Sequence, residues 1–129
     1  MEARDDIMAV YLDDLDDRRY TGFADYYEEC INKQGLGKSE LIKRCRIERT
    51  YVYQILKGIR NPGREKIIIM CIAAGFSFTQ TQKALVIAKE GILYYRDDRD
   101  SILIYAITHG FNLVDTNTLL EKNGFEDLN

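Results

Sequence analysis

The sequence predicts an all-α fold, and three observations predict it. The 129 residues hold a single proline. Apolar residues recur at three- and four-residue steps, and no alternating, strand-like run is bounded by hairpin turns. The expected architecture is roughly seven or eight short helices around one core. A chain of this length buries about two-thirds of its unfolded surface, enough for stability without a disulfide or structural metal.

Each element has its own signal. A short helix is expected near residues 4–15, with a break at Arg18–Gly22. The next, from Phe23 to about Asn32, carries Phe23, Tyr26, Tyr27, Cys30 and Ile31 at i, i+3, i+4, i+7 and i+8. Gln34-Gly35-Leu36-Gly37 stops it, since glycine readily takes the left-handed geometry that ends helices. Residues 38–45 form a short helix with Leu41, Ile42 and Cys45 inward. A tight link, Arg46-Ile47-Glu48, leads to a second short helix at 49–57, and Gly58 to Gly63 is a loop around Asn61-Pro62-Gly63.

The second half contains an internal repeat. Residues 64–85 align without gaps to 99–120, and eight of the 22 positions are identical: Arg64/Arg99, Ile67/Ile102, Ile69/Ile104, Ile72/Ile107, Gly75/Gly110, Phe76/Phe111, Thr81/Thr116 and Leu85/Leu120. Each copy reads as a helix, a glycine stop and a second helix. That second helix starts with a capping box at Ser77-x-x-Gln80 and a weaker version at Asn112-x-x-Asp115. Arg96 to Asp100 is expected to cap and pair the start of a helix. Duplication or convergent packing explains the likeness; the alternative is that two short amphipathic hairpins look alike by chance.

Charge is unevenly spread. The net charge is −3, yet residues 36–66 carry nine bases against three acids between acidic flanks. A basic block of this kind attracts a polyanion that the whole molecule would not; a solvated pair of charged helices is the bland alternative.

Leu41, Cys45, Ile47, Val52 and Ile55 can converge only if two short helices cross steeply over a three-residue link. That crossing exposes Arg49, Thr50, Tyr53, Gln54 and Lys57. The stretch Leu36 to Arg64 resembles the helix-turn-helix of the Cro and lambda-repressor type, the XRE family. Leu41-Ile42 stands for the Leu-Ala pair and Ile47 for the apolar turn residue. Val52 and Ile55 stand for the buried face, Gly58 for the stop and Arg60-Asn61-Pro62 for the loop. The resemblance implies a lambda-repressor-like five-helix DNA-binding domain, from about Phe23 to Ala88, with a helical C-terminal extension. The expected division is an acidic connector at 1–22, a helix-turn-helix domain at 23–90 (the motif proper at 38–57), and a C-terminal hairpin at 91–129 packed on the same domain.

The resemblance also implies roles. Arg49, Thr50 and Gln54 match base-reading positions; arginine grips guanine and glutamine grips adenine, each with two hydrogen bonds. Tyr53 faces outward beside them, toward a thymine methyl or a phosphate. Lys38, Lys57, Arg60 and Arg64 suit phosphates, which set register and affinity. Three residues depart from the family pattern. Ile42 replaces a small alanine, so the helices must separate or repack. Arg46 replaces a glycine, where left-handed backbone costs roughly 1–2 kcal/mol. Glu48 replaces a Ser or Thr cap and sets an anion near phosphate.

The expected function is a sequence-specific regulator of transcription, bacterial or phage-derived and cytoplasmic, working as a homodimer on double-stranded DNA. The alternative is a non-catalytic adaptor that docks a protein partner on the repeat 64–120; one component of a toxin–antitoxin or phage-immunity module overlaps both. No enzyme site, cofactor or metal is expected. There is no Gly-rich phosphate loop or nucleophile elbow, and Cys30, Cys45 and Cys71 lack metal spacing and read as reduced structural thiols. His109 reads as a helix C-terminal imidazole. Asp13, Asp14, Asp16 and Asp17 lack EF-hand spacing and read as a solvated connector or, alternatively, a cover for the basic face. Tyr94, Tyr95 and Tyr105 suit core packing or a subunit contact. The longest apolar run, Ile67 to Ala74, is too short to span a membrane, and the acidic start lacks the apolar region of a secretory signal.

Overall fold

A computed structural model describes residues 20–129; the helix expected near 4–15 lies outside them. Among the described residues there are seven helices and no strand: α1 (Phe23–Gln34), α2 (Lys38–Cys45), α3 (Arg49–Leu56), α4 (Arg64–Ala73), α5 (Phe78–Ile87), α6 (Asp98–Thr108) and α7 (Leu113–Lys122). The α2 bounds match the sequence expectation. Helix α1 runs two residues past Asn32, and α3 stops at Leu56 with Lys57 as its C-cap.

Helix α4 is the hub. Every residue from Ile67 to Ala73 is buried, as expected of a helix apolar on all sides, and α2, α5 and α7 pack around it. Helix α1 lays Phe23, Tyr26, Tyr27, Cys30 and Ile31 inward and touches α3 and α5. The Tyr27 hydroxyl donates to the Met70 carbonyl oxygen at 2.7 Å, so the fully buried tyrosine of that stripe is satisfied inside the core. One contiguous apolar cluster extends from Phe23 to Leu128.

The two repeats fold as two similar hairpins, α4–α5 and α6–α7. Gly75 and Gly110 both have φ +71° at the corners, and the Phe76 and Phe111 amides each reach back 2.9 Å to a carbonyl oxygen five residues earlier. Ser77 and Gln80 form the complete capping box; Asn112 makes only the forward bond, to the Asp115 amide. The hairpins are joined reciprocally. Arg64 holds Asp100 at 2.8 Å, and Arg99 holds Glu65 at 2.8 Å, so equivalent positions pair crosswise. Between them the buried Gln82 side chain accepts from the Leu93 amide (2.8 Å) and donates to the Leu93 carbonyl oxygen (2.9 Å), pinning the linker from α5 to α6.

Each of the seven described helices is closed by a left-handed residue at its C-cap or just beyond it. Five are glycines, but α2 ends at Arg46 (φ 57°) and α5 just before Lys89 (φ 60°). The strain expected at Arg46 is therefore present. The three cysteines are buried free thiols, and burial pushes the Cys45 thiol up to about 12, leaving it protonated and inert at neutral pH.

Candidate nucleic-acid interface

Helix α3 is positioned by its inner face. Val52, Ile55 and Leu56 are buried, Leu41 and Cys45 of α2 are buried as well, and Ile47 in the three-residue link packs on the same cluster. Ile42, at the position where the family prefers alanine, is partly buried against that cluster, so the α2 surface accepts the larger side chain there. With this face inward, Arg49, Thr50 and Lys57 are exposed, and Tyr53 and Gln54 half-buried.

Glu48 caps α3. Its carboxylate accepts from the Thr50 amide at 3.1 Å and the Tyr51 amide at 3.0 Å. These two hydrogen bonds hold the carboxyl below the usual carboxylate range. Glutamate thus does the work expected of serine or threonine, its longer side chain folding back onto the first turn. The result is a helix N-terminus already occupied by a negative charge, which weakens its pull on phosphate.

The outer strip is pre-arranged by side-chain contacts. The Arg49 guanidinium lies 5.5 Å from the Tyr53 ring centre, and that of Arg60 lies 5.3 Å from the Tyr51 ring. Arg60 Nε also donates to Gln54 Oε1 at 2.6 Å. Arg60, expected at the far rim, therefore folds back beside Gln54, and the Gln54 oxygen is engaged. A two-bonded grip on adenine by Gln54 requires that exposed bond to exchange. Tyr51 was not foreseen as a site residue; an aromatic residue nine positions before an arginine, across a loop, carries no local signal. At the other end of the motif, Lys38 pairs with Glu28 at 2.9 Å on the surface, a contact that opens at little cost.

Arg64 corrects the sequence expectation. Nε donates to the Gly91 carbonyl oxygen, Nη2 to the Ile92 carbonyl oxygen, and Nη1 and Nη2 to the Asp100 carboxylate. All its nitrogens are directed at the linker and the second hairpin, so it is a clamp between repeats and not a free cation for phosphate. The signal was present: each copy begins with an arginine followed by an acid, Arg64-Glu65 and Arg99-Asp100.

A second feature lies behind the link. A groove of about 700 Å³ runs between the corners of the two hairpins and the end of α2, with Lys43, Arg44 and Arg46 on one side. His109 sits at the C-cap of α6, stacked on Tyr105 at 3.9 Å. No described helix is long and apolar enough to cross a membrane. Comparison with protein-family models, curated proteins and solved structures finds no match to this chain.

Proposed function

We propose that the protein is a DNA-binding regulator of transcription of the Cro and lambda-repressor type. In this reading α1 to α5 form the lambda-repressor-like domain and α3 lies in the major groove. The observation that carries it is one helix held by its inner face over a three-residue link, presenting Arg49, Thr50, Tyr53, Gln54 and Lys57 on the outer one. A helix with side chains is 10–12 Å across and fits a groove about 12 Å wide. Arg49 reads a base edge from the first turn; Lys38, Lys57 and Arg60 neutralise phosphate. A homodimer in a bacterial or phage cytoplasm completes the reading, because one such helix covers too few base pairs for selectivity.

Selecting bound duplexes from a random pool tests it. Enrichment of a paired, two-half-site motif is the expected result; no retention of any duplex at low salt rejects it. The adaptor reading draws on the exposed Tyr105 and Val114 of the second hairpin, and capture of a protein without duplex binding would favour it.

A further inference from the structure

The groove behind the link is built for an acidic, amphipathic occupant. Its floor is apolar, with Ile72, Phe76, Ile107 and Leu113 nearly covered and Val114 about half exposed. Its rim carries Lys43, Arg44 and Arg46, and no acid is among the lining residues. Arg44 is engaged by Glu40, whereas Lys43 and Arg46 make no ion pair among the described residues. The N-termini of α5 and α7 also open toward the groove through their caps Ser77 and Asn112, adding positive potential.

We propose that this groove receives the chain's own leading segment, residues 4–17. The segment has the matching chemistry. Residues 1–17 hold seven acids and one base, and Ile7, Tyr11 and Leu15 recur at four-residue steps, which places them on one helical face. Asp14 then borders that face and Asp17 lies at its margin, on the side of the cations of the rim.

The segment also starts within reach. The Tyr20 ring lies 5.1 Å from Tyr26, and Tyr26 lies 6.4 Å from Phe76, itself on the groove floor. The Tyr26 hydroxyl points to the carbonyl oxygen of Gln80, another lining residue. Fourteen residues span roughly 20 Å as a helix and more when extended. A tether this short gives a high effective concentration, which favours docking within one chain over docking between chains. The occupied groove leaves the outer strip of α3 open, so this inference is independent of the DNA reading.

The test uses the full chain without DNA. Ala9→Cys carries a nitroxide label, since the three native thiols are buried, and amide broadening is read across the protein. Broadening is expected at Phe76, Ser77, Phe111 and Val114, with Thr50 and Gln54 unaffected. Val114→Asp, and separately Lys43→Glu with Arg46→Glu, should lower the docked-to-free ratio about tenfold by setting like charges together. Adding Asp14→Lys and Asp17→Lys to the charge-reversed rim should restore docking, which separates lost attraction from a disturbed fold. No broadening, broadening centred on α3, or broadening seen only between labelled and unlabelled copies each overturns the proposal.

Discussion

Arg64 and Asp100, thirty-six residues apart, are joined by hydrogen bonds of 3.2 and 2.8 Å. Thirty-four residues separate Glu65 and Arg99, which make the mirror pair. The Asp100 carboxylate also accepts from the Tyr94 amide at 3.0 Å, and its side chain is only 9% exposed. The pair therefore binds hairpin, linker and hairpin together, and it has direct consequences for stability.

Arg64→Ala leaves the Asp100 charge nearly enclosed without its partner. Removing one member of a buried pair costs about 3 kcal/mol, and for a domain of this size that lowers Tm by about 10 °C. Thermal unfolding followed by circular dichroism reads the shift. A loss of DNA affinity with unchanged Tm would restore Arg64 to the phosphate contacts.

The Glu65–Arg99 pair predicts acid sensitivity. Burial raises the Glu65 carboxyl, but the hydrogen bonds and charge of Arg99 outweigh it and hold the group below its ordinary value. A carboxylate lowered by folding contributes stability above its unfolded value, about 4.3, and loses it as pH falls through the folded one. The stability difference between the native protein and Glu65→Gln should thus be flat from about pH 6 to 8 and shrink below about pH 4.5. Denaturant titrations across that range check it; a difference that grows toward acid pH contradicts the pairing.

Arg46→Gly should stabilise the protein. The φ of 57° is strained for arginine and free for glycine, and the gain is about 1 kcal/mol after glycine's extra unfolded-state entropy. Arg46→Val should destabilise by a similar amount or more, since a β-branched residue tolerates that geometry worst. Chemical denaturation midpoints of the three proteins should order as glycine, arginine, valine.

On the proposed DNA face, Arg49→Ala should relax preference at one base pair at a cost of about 1–3 kcal/mol, whereas Lys57→Ala should weaken all sequences alike. With Arg64 withdrawn, Lys38, Lys57 and Arg60 remain on phosphate, so log affinity against log salt should slope by roughly −3 per subunit. Fluorescence anisotropy on specific and random duplexes separates these effects. Equal, sequence-independent losses from both variants reject the base-reading role of Arg49.

Much of the helical framework was legible residue by residue. The stripe Phe23, Tyr26, Tyr27, Cys30 and Ile31 is the buried face of α1, and the 35-residue repeat is two hairpins with matching glycine corners. The candidate strip was legible in outline, because Val52 and Ile55 at three-residue spacing dictate which side of α3 faces out. Its internal arrangement was not: Arg60 on Tyr51 and Gln54 depends on how the loop after Gly58 turns back.

For the described helices, sequence alone determined roughly where they lie, α1 to α3 to within two residues, because backbone sterics, capping and side-chain period act within a few residues. Tertiary structure alone decided what the charged side chains do. Arg64 became a clamp because hairpin packing brings Asp100 and two carbonyl oxygens to its guanidinium. Lys43, Arg44 and Arg46 became the rim of a groove because the hairpin corners meet the end of α2. Charge acts through space, and the distances it acts over are set only when distant segments pack together.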